Sequence, residues 1–145
     1  MKIMECLLDT CVISELTRPA PDPLAMQWLE RHSRTAVLSA VTVGEIQFGI
    51  ARMPLGVRRN QLQQWFDRMC SDFEGRILPS DESCWRAWSH LRASCQAIGR
   101  PQADLDLLIA ATAVVHGLPL ATRNTRHFED TGLRLVNPWA PAPQA

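Results

Sequence analysis

Short apolar runs alternate with longer amphipathic stretches along almost the whole chain. The apolar runs predict buried strands, and apolar residues at every third or fourth position predict helices. The predicted strands cover 4–8, 36–38, 76–78, 118–121 and 134–136, and the predicted helices cover 10–17, 23–31, 40–53, 57–73, 80–98 and 104–116. Strands separated by one or two helices imply a parallel sheet with helices on both faces. In such α/β sheets the binding site lies at the carboxyl ends of the strands.

The length of the chain fits one domain. A chain of 145 residues and 16.3 kDa buries a real core but is too short for two independent ones. With 46% hydrophobic and 21% charged residues, the composition excludes a disordered chain. The proline-rich end predicts a short tail over 140–145, after a single domain over 1–139.

A membrane span and a secretory signal are not expected. The longest apolar run, 105–115, is interrupted by Asp106 and Thr112 and falls short of the roughly 20 residues that cross a bilayer. Glu5 and Asp9 break the apolar stretch that a secretory signal needs. We therefore expect a cytoplasmic protein with no membrane partner.

The charge balance and the cysteine spacing limit the kinds of binding site that the chain can form. Fifteen basic and fifteen acidic side chains cancel, so any binding to nucleic acid must come from a local patch. The five cysteines form no CxxC pair and no Cys/His zinc spacing, which excludes a zinc centre of the usual kind.

Asp9 is the first candidate functional residue. It directly follows an apolar strand and precedes a helix, so its carboxylate is expected at a strand's carboxyl end. Taken alone, the position also fits an ordinary helix N-cap.

Glu45 is the second candidate. Its neighbours three and four positions away are Val41, Phe48 and Gly49, which places a carboxylate on a largely apolar helix face. Gly44 and Gly49 each weaken a helix by about 1 kcal/mol relative to Ala, which is easier to understand if another backbone or a ligand approaches closely. A half-exposed Glu at the edge of the apolar stripe is the alternative.

Asp106 is the third candidate. It opens a helix that is apolar on nearly every side and is therefore expected to be central. Asp104 and Asp106 lie about 200° apart around a helix, so they cannot both face one pocket. We assign the N-cap to Asp104 and expect Asp106 to face the carboxyl ends of the strands.

These three carboxylates predict a site for a hard metal ion. Brought together, they repel one another and raise the pKa of at least one, and a cation relieves that repulsion. Oxygen ligands without a thiolate or imidazole cluster favour Mg²⁺ or Mn²⁺. Such a site activates water and neutralises charge on a phosphodiester, so hydrolysis of that bond is the natural reaction class.

Several segments occur in an order and spacing that is typical of a known family. These are Leu7–Leu16, Ser39–Gly49 with Glu45, Asp106–Ala113, Thr122–Asn124, and the ending Asn137–Trp139. Together they resemble the PIN-domain nucleases and, more narrowly, VapC toxins of the FitB-like branch, over nearly the whole chain. The resemblance implies a three-layer α/β/α sandwich on a parallel sheet and Mg²⁺- or Mn²⁺-dependent cleavage of RNA. It also implies homodimerisation and inhibition by a small VapB-type antitoxin of a type II toxin-antitoxin pair.

The resemblance assigns catalytic and metal-binding positions to Asp9, Glu45 and Asp106. Asn124 stands where the family often has a fourth acid, although Asn is also common in this branch. The number of metal ions, one or two, is therefore left open.

Three further residues are expected to contact the substrate. Thr10 matches the hydroxyl beside the first acid, and Arg123 and Asn124 lie in a polar turn after a predicted strand. Arg123 is expected to contact a phosphate, and an exposed arginine at a strand end without any ligand is the alternative. Cys11 departs from the Asn that the family usually has, which weakens the expected hydrogen bonding around Asp9.

Two other functions compete with a nuclease toxin. The first is a PIN scaffold impaired by its missing fourth acid, acting as an RNA-binding or regulatory dimer. The second is an aspartyl-phosphate phosphatase with Asp9 as nucleophile, which is disfavoured because those enzymes usually carry a second Asp at the position of Cys11. The sequence does not name the RNA, because base choice depends on the shape of loops and grooves.

Overall fold

A sheet of five parallel strands forms the centre of the computed structural model, which describes residues 4–141. The strands are β1 (Cys6–Leu8), β2 (Ala36–Ser39), β3 (Ile77–Leu78), β4 (Leu120–Ala121) and β5 (Leu135–Val136). They lie in the order β3-β2-β1-β4-β5, and every adjacent pair is parallel. The predicted parallel sheet is confirmed, with β1 as its middle strand.

Seven α-helices surround the sheet within residues 4–141. They are α1 (Thr10–Glu15), α2 (Pro23–His32), α3 (Ala40–Ala51), α4 (Val57–Asp72), α5 (Glu82–Ala97), α6 (Asp104–His116) and α7 (Thr125–Phe128), the last continued by a 3₁₀ turn, Glu129–Thr131. Several predicted elements were too long: β1 begins at Cys6, β4 begins at Leu120 and α1 ends at Glu15. The pattern did not predict α7, because a helix of four residues leaves no periodicity to detect.

The two faces of the sheet build two cores. Cys6 and Leu8 point to one side and pack with residues of α1, α2, α3 and α4. Leu7, between them, points to the other side and packs mainly with α5, α6 and α7. This alternation along one strand is what a sheet covered on both faces requires. The expected three-layer α/β/α sandwich is confirmed.

The ends of α3 and α6 follow from single residues. Ser39 is the N-cap of α3, and its hydroxyl accepts a hydrogen bond from the Val41 amide over 3.0 Å. Gly117 ends α6 with φ of 64°, a left-handed conformation that glycine adopts without steric cost. Both boundaries agree with the sequence prediction.

The N-cap predicted at Asp104 was wrong. The N-cap of α6 is Ala103, which makes no side-chain capping bond, and Asp104 is the first helical residue. Its carboxylate turns instead to Arg92 on α5, 3.5 Å away. An arginine on the neighbouring helix therefore holds the side chain that local sequence assigned to the cap.

The predicted tail lies mostly outside the described part of the chain. Only Ala140 and Pro141 of residues 140–145 are described, so the boundary after residue 139 stays a prediction. Within residues 4–141, no helix has the length and apolar character needed to cross a bilayer.

Candidate active site at the carboxyl edge of the sheet

The three predicted acids lie on three different elements. Asp9 follows β1 directly, is 4% exposed, and is also the N-cap of α1, where its Oδ1 accepts the Thr10 amide over 2.8 Å. Glu45 lies midway along α3 and Asp106 in the first turn of α6, and both are half-buried. The N-cap role and the strand-end role of Asp9 are thus compatible, because the helix begins where the strand ends.

Thr10 connects two of these elements. Its hydroxyl donates to Glu45 Oε1 over 2.7 Å and lies 3.0 Å from the Thr42 hydroxyl. A short bond to a carboxylate fixes the Glu45 side chain on the side of α1. The residue next to Asp9 therefore orients the second acid.

Asp9 Oδ2 is held by Thr122, a residue of the motif Thr122–Asn124 to which the sequence analysis assigned no role at Asp9. Thr122, fully buried after β4, donates its hydroxyl to Asp9 Oδ2 over 2.8 Å and accepts the Asn124 amide over 3.0 Å. The Cys11 thiol also faces Asp9 Oδ2, at 3.5 Å. The signal lies in the strand register: Leu8 pairs with Ala121, so the residues that follow them are neighbours.

The charges of Asp9 and Glu45 act on the Asp106 carboxylate. The pKa of Asp106 is raised, first by burial and then by the negative charges of Asp9 and Glu45, while His127 opposes the rise. Within residues 4–141, none of the three acids forms a salt bridge. As the side chains stand, no three His, Cys, Asp or Glu residues of that range lie close enough to hold one ion. The edge is therefore a region of uncompensated negative charge rather than a closed coordination cage.

Cys11 stays a neutral thiol in this setting. Burial raises its pKa to about 11, and the charge of Asp9 adds to the rise. A neutral S–H is a weak donor, so the bond to Asp9 Oδ2 is weaker than the one from Thr122.

Arg123 and Asn124 lie in the turn after β4, as predicted. Both are exposed, and Asn124 precedes α7 without making a capping bond through its side chain. The guanidinium of Arg123 lies 5.4 Å from the centre of the Trp139 ring. The turn thus begins at Thr122, which is bonded to Asp9, and carries a cation and an exposed side-chain amide in the next two residues.

The fold and this acidic edge define a class of protein. The PIN domain family model matches residues 6–133, which is most of the chain. The chain belongs to the PIN domain family.

Individual members of this family are similar to the chain over nearly its whole length. The chain is 42% identical over 138 residues to VapC ribonuclease Y4jK of Sinorhizobium fredii (strain NBRC 101917 / NGR234), covering 94% of this chain and 99% of that protein. It is 38% identical over 135 residues to Toxin FitB of Neisseria gonorrhoeae (strain ATCC 700825 / FA 1090), covering 92% and 97%. A solved structure of FitAB bound to an IR36 DNA fragment superposes with a TM-score of 0.91 at 35% identity, covering 97% of this chain and 99% of that chain.

Proposed function

We propose that this chain is a metal-dependent endoribonuclease that hydrolyses RNA phosphodiester bonds as the toxin of a type II toxin-antitoxin pair. One observation carries the proposal: acids from three elements face the same edge of the sheet. Asp9 follows β1, its neighbour Thr10 is bonded to Glu45 on α3 over 2.7 Å, and the pKa of Asp106 on α6 is raised by burial and then by the charges of Asp9 and Glu45. Close similarity to a protein named VapC ribonuclease supports the reaction, and similarity to Toxin FitB supports the biological role. Because such an enzyme acts on cellular RNA, we propose that it works in the cytoplasm.

The chemistry of the edge fits Mg²⁺, with Mn²⁺ able to substitute. All the candidate ligands are carboxylate oxygens, and within the described residues no cation is paired with them. Mg²⁺ usually keeps several waters and binds one or two carboxylates plus a substrate phosphate, so it does not need a closed protein cage. When bound, it would supply positive charge to the phosphate and to an attacking water.

The chain's own residues divide the remaining work. Asp9, Glu45 and Asp106 would hold the ion, one or two of them directly and the others through its waters. The hydrogen bonds from Thr122 and Thr10 keep Asp9 and Glu45 in place. Thr10 and Asn124 would also contact the RNA. Arg123 would neutralise a phosphate, because its donor fork matches phosphate oxygens.

A VapB-type antitoxin is the proposed protein partner. A groove between α1, α3 and α4 opens at Thr10 and Glu45 and continues past Gly49 to Trp65. Largely apolar walls with the Glu45 carboxylate at one end suit a peptide that carries a basic side chain into the site. The solved FitAB complex supports an assembly of this kind. We also propose that the chain forms a homodimer.

The test is RNA cleavage by the purified chain. The wild type should cut RNA with Mg²⁺ or Mn²⁺ and stop when EDTA is added. Asp9→Ala and Asp106→Ala should lose the activity, whereas Asp104→Ala, which alters an exposed carboxylate paired with Arg92, should keep it. Full activity of both Asp9→Ala and Asp106→Ala would refute the proposed function.

The impaired scaffold remains a second candidate for a specific reason. Asn124 is exposed in the turn where a fourth acid would stand, and no three acids of residues 4–141 lie within reach of one ion. Asn124→Asp separates the two functions. If this variant cuts RNA and the wild type does not at any Mg²⁺ concentration, the chain is an RNA-binding or regulatory dimer.

A further inference from the structure

The ending Asn137-Pro138-Trp139 forms a fixed turn after β5. Asn137 Oδ1 accepts the Trp139 amide over 2.9 Å, and the Asn137 carbonyl accepts the Ala140 amide over 3.1 Å. Pro138 between them is buried. The turn presses the Trp139 ring against the core on the α1 side of the sheet. Its position is therefore set by the backbone as well as by packing.

The Trp139 ring contacts a cation from the turn after β4, the guanidinium of Arg123. The guanidinium of Arg123 lies 5.4 Å from the ring centre, which is within the range of a cation–π contact. Trp139 Nε1 is buried and has no hydrogen-bond partner within residues 4–141. A Phe here would keep the apolar packing without that unpaired donor. Tryptophan is, however, the aromatic residue that attracts a cation most strongly.

The Arg123 guanidinium is also attracted by a buried carboxylate, that of Glu15. Glu15, at the end of α1, is 3% exposed and accepts the Asp22 amide over 2.9 Å. That bond lowers the pKa of Glu15, and the charges of Arg18 and then Arg123 lower it further. The Arg123 guanidinium therefore lies over an aromatic face and is also attracted by a buried negative charge. The Arg123 backbone follows Thr122, the residue that holds Asp9.

We infer that Trp139 is a positioning residue, which holds the Arg123 guanidinium where it binds an RNA phosphate beside the one that is cleaved. This inference rests on the proposed function. A long side chain that is already ordered loses less conformational entropy when it binds, so its contact with phosphate is stronger. Trp139 itself touches no reacting atom and is not a catalytic residue.

The experiment measures steady-state cleavage of a short, fluorophore- and quencher-labelled RNA of randomised sequence with saturating Mg²⁺. Trp139→Leu should raise KM about two- to fivefold, the value expected for one exposed cation–π contact, and leave kcat unchanged. Arg123→Met should raise KM at least as much and weaken the dependence of KM on salt, because one phosphate contact is lost. In the Arg123→Met background, Trp139→Leu should have no further effect on KM.

Trp139→Phe is the matched control for folding. It removes the unpaired Nε1 and keeps an aromatic ring, so it should unfold at the wild-type temperature or above. Its KM should nevertheless rise, by less than that of Trp139→Leu. If Trp139→Leu does not fold, the same comparison is made with Trp139→Phe in both backgrounds.

Four outcomes would overturn the inference. Equal effects of Trp139→Leu with and without Arg123 would mean that Trp139 acts only through the core. A fall in kcat with no change in KM would mean the same. Wild-type KM and salt dependence in Arg123→Met would show that Arg123 binds no phosphate, while cleavage by the wild type would leave the proposed function intact. A wild type without any cleavage would overturn both.

Discussion

The Thr122 hydroxyl donates to Asp9 Oδ2 over 2.8 Å, and the two residues are 113 positions apart in the chain. The bond joins the ends of two adjacent strands, β1 and β4, and leaves Asp9 with both oxygens bonded. Thr122 therefore orients the Asp9 carboxylate, the first candidate acid of the site. Residues that orient a metal-binding carboxylate in this way commonly affect metal affinity.

Thr122→Val tests this role directly. Valine has nearly the same shape but cannot donate, so Asp9 loses one anchor and the Asn124 amide loses its acceptor. We expect Mg²⁺ affinity or RNA cleavage to fall about 10- to 100-fold, the range seen when outer partners of metal ligands are removed. Isothermal titration with Mg²⁺ and a cleavage assay measure the two effects.

Thr112→Val is the matched control for that variant. Thr112 is also fully buried, but its hydroxyl donates to the Leu108 carbonyl within α6. Its replacement should change stability alone. If Thr122→Val binds Mg²⁺ as the wild type does, Thr122 has no positioning role.

Burial of the Asp106 carboxylate, together with repulsion from Asp9 and Glu45, should destabilise the metal-free protein. Because the pKa of Asp106 is raised in the folded state, that state binds the proton more tightly than the unfolded state does. The free energy of unfolding then falls as pH rises from the ordinary pKa of Asp through the raised one. Asp106→Asn should remove this loss, so it should melt above the wild type in EDTA at neutral pH but not at acidic pH.

Asp104→Asn provides the comparison for Asp106→Asn. It lies two residues away and is exposed, with Arg92 as its partner. Thermal unfolding in EDTA should show no increase for this variant at neutral pH. A lower melting temperature for Asp106→Asn than for the wild type would contradict the expected repulsion.

The Cys11 thiol should report the charge of Asp9. With a pKa of about 11, Cys11 is almost entirely protonated at neutral pH and should react slowly with iodoacetamide. Asp9→Asn removes one cause of the raised pKa, so the pH at which Cys11 becomes reactive should move down, although burial still holds it above the ordinary value. Mass spectrometry after timed alkylation gives the rate for each cysteine.

Cys70 serves as the internal standard in the same samples. Its pKa is raised by burial and by Asp67, neither of which involves Asp9. The pH dependence of its alkylation should therefore be the same in both proteins. An unchanged Cys11 profile in Asp9→Asn would show that Asp9 does not act on the thiol.

The two glycines of α3 should separate stability from antitoxin binding. A Cβ built on either Gly44 or Gly49 meets nothing within 4 Å, so an Ala at each should raise the free energy of unfolding by up to about 1 kcal/mol. Gly49 lines the groove proposed for the antitoxin, and Gly44 does not. Gly49→Ala should weaken antitoxin binding in a titration, whereas Gly44→Ala should leave it unchanged. Equal affinities would place the antitoxin elsewhere.

Much of the fold was predictable because local signals were strong. The apolar strands, the Ser39 cap and the stop at Gly117 each depend on residues close in sequence, and each was confirmed. The Asp104 cap was wrong for the opposite reason. Its side chain is taken by Arg92, which lies on another helix, and no local pattern indicates that pairing.

Local signals also determined which candidate site residues the sequence could indicate. Asp9, Glu45 and Asp106 were conspicuous because each carries charge next to apolar neighbours. Thr122 has no charge and looks like an ordinary turn residue until β4 is known to pair with β1. Strand order is set by tertiary packing. Short buried strands of similar composition contain no sequence signal that indicates which strands pair with each other.

The central position of β1 also bears on motion. The Asp9 amide donates to the Ala121 carbonyl over 2.8 Å, and β1 is bonded to a strand on each side. Fluctuations that release only an edge strand leave this amide protected from solvent. Its deuterium uptake should therefore follow global unfolding, so that the first candidate acid, Asp9, lies in one of the slowest-exchanging parts of the molecule.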